Sequence, residues 1–239
     1  MQRRVLLAQV AGARFRWFAE TDISLSKDEE LLTLMRQTGC AQVLIGLESP
    51  IPTGLHGIEM KRDWKLKKQA EYRKAVDRIQ SKGITVNGCF IVGLDGHTTE
   101  IFDAIYEFAE QTALYDVQIT MMTAFPGTPL YHRLAREGRL IEPENWKKCT
   151  LFDLSFIPSH MTPEELVEGF HRLAAALYGD DCTRRRRGQF RRNVREAMRR
   201  PSASLPEYVR DETQPPQGRP KPPLNRRPAP AAAPRFVSD

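Results

Sequence analysis

The sequence contains few cysteines and no long apolar run. Four cysteines occur in 239 residues, and no two lie within four residues of each other: Cys40, Cys89, Cys149 and Cys182. Zinc ribbons and ferredoxin-type sites gather their cysteines in short loops, so we expect no metal site and mostly buried thiols in a reducing cytoplasm. No apolar stretch approaches the roughly 20 residues that span a bilayer, so we also expect no membrane span.

Charge is divided between two parts of the chain. The net charge is +6, but residues 183–239 carry +10 and residues 1–182 carry −4. Nine arginines fall between positions 184 and 200, with Phe190 as the one aromatic residue among them. Such a run is typical of a solvated helix, and we do not expect specific nucleic-acid binding. Ten prolines in the last 39 residues predict a disordered, partly polyproline tail.

Strand and helix patterns alternate through the first half of the chain. Strands are predicted at 14–20, 41–47, 84–92 and 117–123, and helices at 28–37, 64–82 and 98–114. The continuous apolar run at 41–47 is typical of a parallel strand that is covered on both faces. Parallel strands joined by helices predict an α/β fold, and specifically a partial TIM-type barrel with outer helices, because four strands cannot close a barrel.

Further helices are predicted after the fourth strand. Thr162-Pro163-Glu164-Glu165 combines a cap residue, a proline at the first helical position and a glutamate three residues after the cap. This pattern predicts a helix that continues to about residue 178. We divide the chain into a barrel part at 1–140, a helical extension at 141–182 and a basic, proline-rich tail at 183–239.

Acidic residues and glycines follow the predicted strands. Glu20 closes the first strand, Glu48 closes the second, and Gly93 and Asp95 follow the third. The carboxyl ends of parallel strands meet on one side of a sheet, which is where ligands bind. One acidic residue at a strand end is usually a solvated turn or a helix cap, but three of them predict a shared pocket.

Four motifs carry a resemblance to a known family: Phe18-Ala19-Glu20-Thr21-Asp22, Leu44-Ile45-Gly46-Leu47-Glu48-Ser49, Gly88-Cys89-Phe90-Ile91-Val92-Gly93-Leu94-Asp95-Gly96 and Pro126-Gly127-Thr128-Pro129-Leu130-Tyr131. In order and spacing they resemble the C-terminal half of the core barrel in the radical S-adenosylmethionine (SAM) superfamily. The resemblance is closer to the branch in which a cobalamin-binding domain precedes the barrel. It covers residues 14–131 and extends more loosely to residue 178.

The resemblance implies a SAM site at the strand ends. Glu20 would accept hydrogen bonds from the methionine ammonium group, and Glu48 would hold the ribose hydroxyls. Ile91 and Gly93 would let the adenine lie against the third strand, and the backbone near Thr123 would flank the adenine edge. The substrate would be an unidentified small molecule, with cobalamin as a candidate methyl carrier.

The family's Cys-x-x-x-Cys-x-x-Cys loop is absent from this sequence. Those cysteines hold the [4Fe-4S] cluster that reduces SAM to a 5′-deoxyadenosyl radical, so we expect the chain alone to be inactive. We expect a fragment of a radical SAM enzyme, completed by an N-terminal part that is encoded upstream and brings the cluster. The alternative is a non-catalytic remnant that binds a partner through its basic tail.

Overall fold

The computed structural model of the protein describes residues 16–55 and 71–199. Strands and helices alternate in these residues: β1 Trp17–Thr21, α1 Glu29–Gln37, β2 Cys40–Glu48, α2 Tyr72–Ser81, β3 Thr85–Val92, α3 Glu100–Gln111, β4 Asp116–Met121, α4 Pro129–Arg136, α5 Pro163–Tyr178 and α6 Asp180–Arg199. Short 3-10 turns occupy Ile23–Lys27, Pro52–Leu55 and Trp146–Lys148. The four strands and the three helices between them match the predicted elements within the described residues. The predicted start of the helix at 64–82 and the first residues of the strand at 14–20 lie outside the described residues.

The strands form one parallel sheet in chain order. β1 pairs with β2, β2 with β3, and β3 with β4. A doubly wound sheet would place later strands on both sides of the first, whereas strands in chain order make the wall of a barrel. The predicted α/β fold, a partial TIM-type barrel with outer helices, is confirmed.

Local signals place the helix starts. The Asp28 carboxylate caps α1 by accepting a hydrogen bond from the Leu31 N–H at 3.0 Å. At the start of α5, the Thr162 hydroxyl accepts from the Glu165 N–H at 3.1 Å, and the Glu165 carboxylate accepts from the Thr162 N–H at 2.7 Å. This reciprocal capping box was predicted from the sequence, and it is confirmed.

The two faces of the sheet differ in burial. One face, which we call the covered face, packs against the helices and forms the core: Val43, Ile45, Leu47, Val86, Phe90, Val92 and Ile119. The other side, which we call the open face, is half-buried or exposed: Glu20, Leu44, Gly46, Glu48, Asn87, Cys89 and Ile91. The strand at 41–47 was predicted to be covered on both faces, and in this respect the prediction was wrong, because β2 alternates between buried and half-buried residues.

The outer edge of β4 receives cover from the C-terminal part of the chain. The Met121 N–H donates to the Leu151 carbonyl at 2.8 Å, and the Ile119 N–H donates to the Tyr178 hydroxyl at 3.3 Å. These bonds satisfy backbone groups that point away from β3. They place the segment after α4, together with α5, beside the fourth strand.

Helix α6 carries the arginine run of the predicted tail as far as Arg199. Arg186 is buried there, and its guanidinium donates to the carbonyls of Leu114 at 3.1 Å and Leu177 at 2.9 Å. Phe190 is buried as well and packs edge-on against Tyr115. The first part of the basic segment is therefore a packed helix, whereas the proline-rich region lies outside the described residues. None of the helices in 16–55 and 71–199 has the length and apolar character that a membrane-spanning segment requires.

Candidate functional site

Two of the predicted site residues, Glu20 and Glu48, lie on the open face, and both act electrostatically on Cys89. Glu20 is exposed on β1, and Cys89 lies on β3, with β2 between them. Burial raises the pKa of the Cys89 thiol to about 11, and the negative charges of Glu48 and Glu20 add to this increase. Both carboxylates therefore act on one thiol of the open face, and this brings negative charge from two strand ends into one region.

The backbone at Glu48 adopts a rare conformation. Its φ angle is +62°, in the left-handed region that residues with a Cβ seldom enter. The Ser49 N–H donates to the Leu47 carbonyl at 2.8 Å, so residues 47–49 form a γ-turn with Glu48 at its centre. The pairing of β2 with β3 also shifts register between Gly46 and Glu48. Strained backbone of this kind concentrates at functional sites.

Ile91 and Gly93 lie at the end of β3 in different surroundings. Ile91 is half-buried on the open face, opposite Thr120 of β4. Gly93 has a φ of +85°, and a Cβ added there would lie 2.8 Å from the Phe156 ring and 3.0 Å from a Leu166 methyl group. The absence of a side chain at Gly93 therefore makes room for the chain's own core. The adenine role of both residues stays a prediction.

Thr123 follows β4 and is buried. Its hydroxyl lies 2.7 Å from the Thr150 carbonyl and 3.1 Å from the Met121 carbonyl, so its single hydrogen is shared between two backbone acceptors. The Thr123 side chain holds the segment around Thr150 against β4. Its predicted place beside an adenine edge concerned the backbone, and that stays a prediction.

Asp95 is held by charged partners after β3. Its carboxylate forms ion pairs with Arg133 at 2.6 Å and Arg139 at 2.9 Å, and it accepts a hydrogen bond from the Ser159 hydroxyl at 2.9 Å. Burial would raise the pKa of Asp95, but these hydrogen bonds and the Arg133 charge outweigh it and hold the pKa below its ordinary value. Asp95 thus fixes the β3–α3 loop to α4 and to the segment after it, and its oxygens are already used.

Sequence reasoning missed two features of the site. The thiols were expected to be mostly buried; Cys40 and Cys182 are buried, but Cys89 is half-buried on the open face. The second feature is a contact of 3.1 Å between His97 Nε2 and the Ser49 hydroxyl, both of which are buried. Ser49 and His97 follow the neighbouring parallel strands β2 and β3, and this position could have indicated the contact.

The residues present suit SAM better than they suit an iron-sulfur cluster. The ammonium group and the ribose hydroxyls of SAM are hydrogen-bond donors, and Glu20 and Glu48 offer carboxylate acceptors on one face. In the described ranges, no three His, Cys, Asp or Glu side chains come together as metal ligands, and all four cysteines are free thiols. The described residues therefore do not fit a [4Fe-4S] cluster.

Comparisons with known proteins agree with the sequence motifs. Residues 128–212 match a family described as "Domain of unknown function (DUF4070)". An uncharacterized methyltransferase of Synechocystis is 34% identical over 164 residues, which cover 66% of this chain and 30% of that protein.

Two further relatives carry more specific names. The hopanoid C-2 methylase of Rhodopseudomonas palustris is 34% identical over 56% of this chain and 25% of its own length. The bacteriochlorophyllide d C-12(1)-methyltransferase of Chlorobaculum tepidum is 26% identical over 77% of this chain and 39% of its own length. The chain thus spans between 25% and 39% of the length of these three relatives. The resemblance to the radical SAM superfamily that the four motifs carry is confirmed by these relatives.

Proposed function

We propose that this chain forms the SAM-binding part of a radical SAM enzyme that transfers a methyl group to a small molecule or rearranges its carbon skeleton. The observation that carries the proposal is that Glu20 and Glu48 both lie on the open face, at the carboxyl ends of the neighbouring strands β1 and β2. The parallel sheet supports it, because ligands of such sheets bind at the carboxyl ends of the strands.

Each carboxylate would take one part of the cofactor. Glu20 would accept hydrogen bonds from the ammonium group of the methionine moiety, and Glu48 would accept from the ribose hydroxyls. Ile91 would provide an apolar surface for the adenine ring, next to Gly93 and the backbone around Thr123. These residues would bind and orient the cofactor without donating or removing a proton.

SAM would supply a 5′-deoxyadenosyl radical to the reaction if a reduced [4Fe-4S] cluster were present beside it. We propose that the cluster is held by polypeptide other than the described residues, in an N-terminal part of the enzyme. Cobalamin is proposed as a methyl carrier, in keeping with the methyltransferase names of several relatives. Free cysteines in the described unit fit a reducing cytoplasm, where we place the enzyme.

The test is SAM binding by the purified chain, measured by titration calorimetry. Glu48→Gln removes the charge but keeps the size of the side chain, and it should raise the Kd for SAM about tenfold or more, because charge-assisted hydrogen bonds contribute about 1.5–3 kcal/mol. Glu107→Gln makes the same change at an exposed position on α3 and should leave the Kd unchanged.

Two results would contradict the proposal. One is a wild-type chain that does not bind SAM at millimolar concentration. The other is a Kd for Glu48→Gln that equals the Kd for Glu107→Gln. If the wild-type chain does not bind SAM while its basic tail associates with a polyanion, the non-catalytic alternative is supported.

A further inference from the structure

The residue type at position 48 does not explain the γ-turn, because glutamate does not favour a positive φ. A glutamate in the left-handed region costs free energy that glycine or asparagine would largely avoid. Such a conformation persists when the surrounding structure determines it. The next residue, Ser49, makes contacts that can hold the turn.

Ser49 is fully buried, and its hydroxyl is used completely. The hydroxyl donates to the Ile51 carbonyl at 2.9 Å and accepts from the Ile51 N–H at 3.2 Å. Its remaining acceptor site faces His97 Nε2 at 3.1 Å. We assign the single hydroxyl hydrogen to the Ile51 carbonyl, and with this assignment the neutral ring carries its hydrogen at Nε2 and donates to Ser49.

His97 reaches this position from the loop after β3. Its side chain is 1% exposed, and its backbone N–H donates to the Leu94 carbonyl at 2.8 Å. The same loop is fixed on its other side by Asp95, which binds Arg133, Arg139 and Ser159. The donor at Nε2 is therefore held in place by a rigid loop. Burial lowers the pKa of His97 to about 4, which agrees with a neutral ring at physiological pH.

We propose that His97 is a positioning residue of the cofactor site: its Nε2–H holds the Ser49 hydroxyl, fixes the γ-turn at Glu48 and so aims the Glu48 carboxylate at the ribose. The proposal rests on the proposed function for the role of Glu48. The link between His97 and the γ-turn depends on contacts of the structure alone. His97 does not contact the cofactor in this proposal.

The first experiment measures the turn without any ligand. The Ser49 amide is protected by its bond to Leu47, so its hydrogen exchange reports the γ-turn. His97→Leu should speed exchange at Ser49 by at least tenfold, whereas His97→Gln, whose amide can donate to Ser49, should restore most of the protection. Ser49→Ala removes the same bond from the other side and should release the Ile51 amide as well.

A matched control is Gln80→Leu. Gln80 is also 1% exposed and also joins two parts of the backbone, since it donates to the Ala113 carbonyl and accepts from the Tyr115 N–H. Its loss should lower the melting temperature without changing exchange at Ser49. If His97→Leu and Gln80→Leu change Ser49 exchange equally, or if neither changes it, the proposal is wrong. Should His97→Leu not fold, Ser49→Ala and His97→Gln give the same comparison.

The second experiment connects the turn to the cofactor. His97→Leu should weaken SAM binding about tenfold in the wild-type background. In the Glu48→Gln background it should have little effect, because both substitutions remove the same interaction between the Glu48 carboxylate and the ribose. Binding of a SAM analogue without ribose hydroxyls should be equally weak for wild type and His97→Leu.

The outcomes separate the two proposals. If Glu48→Gln weakens SAM binding but His97→Leu does not, or if the two effects add, His97 does not position Glu48 and the proposed function stands. If Glu48→Gln leaves SAM binding unchanged while His97→Leu still releases the Ser49 amide, the turn is fixed as described and the proposed function fails.

Discussion

Phe90 and Cys89 are neighbours in the chain and lie on opposite faces of the sheet. Phe90 is 0% exposed on the covered face and packs edge-on against Phe108 at 5.8 Å between ring centroids. Cys89 is half-buried on the open face, where the negative charges of Glu48 and Glu20 help to raise its pKa. Successive strand residues point to opposite sides, so one segment contributes to the core and to the candidate site at the same time. Substitutions on the covered face of β3 should therefore change stability, and substitutions on its open face should change binding.

The largest effect is expected on the covered face. Phe90→Ala should lower the free energy of unfolding by about 3–5 kcal/mol, because it removes a fully buried ring and leaves a cavity. Urea denaturation measures this loss, and the fraction that remains folded should bind SAM as the wild type does. A loss of under about 1 kcal/mol would show that the covered face is not the core.

The second effect concerns pH and the buried His97 at the strand ends. Its pKa is about 4 in the folded chain, because of burial, against an ordinary value of 6.5. Between pH 6.5 and 4 the unfolded chain binds a proton at His97 that the folded chain does not bind. The free energy of unfolding therefore falls as the pH is lowered through this range, by roughly 3 kcal/mol in total, and His97 causes no further change above pH 6.5. Denaturation between pH 4 and 7 should show a weaker pH dependence for His97→Gln than for the wild type. Equal slopes would contradict the burial of a neutral ring.

Asp95 should contribute less, because its carboxylate is 37% exposed and water screens its ion pairs. Asp95→Asn should cost about 1 kcal/mol by the loss of charge on the hydrogen bonds to Arg133 and Arg139. Since its pKa is depressed, this contribution is present above the ordinary value and is lost as the pH falls through the folded pKa. Thermal melts at pH 7 would measure the cost. A SAM affinity that falls with Asp95→Asn as far as with Glu48→Gln would show that the two strand-end acids have the same role.

Cys89 should have the smallest effect on stability. Cys89→Ala removes one half-buried sulfur atom and should change the free energy of unfolding by less than about 1 kcal/mol. Cys40→Ala, at a fully buried thiol on β2, is the matched control and should cost more. If both variants lose the same stability, the open face is as tightly packed as the covered face.

The fold could be predicted from the sequence because its signals are local. The apolar runs placed the strands, and the Thr162 capping box placed the start of α5 within a few residues. The order of strands follows from the rule that consecutive parallel strands joined by helices lie side by side. The same periodicity did not show that β2 is covered on one face alone, because apolar residues such as Leu44 also occur on the open face.

The candidate site could be predicted only in part. The strand ends indicated Glu20, Glu48 and Asp95 as equivalent acids. The Asp95 carboxylate, however, is bound by three residues that lie 38 to 64 positions later in the chain: Arg133, Arg139 and Ser159. No local pattern predicts such a contact. The γ-turn at Glu48 was equally hidden, because glutamate gives no sign of a positive φ.

The cover on the outer edge of β4 limits where a further strand can pair with this sheet. An edge strand with unpaired N–H groups is a template for another chain, and such edges lead to aggregation when they are left exposed. Tyr178 and Leu151 already occupy the groups of Ile119 and Met121 that would serve as that template. The edge of β1 is therefore the side on which a further strand could extend this sheet.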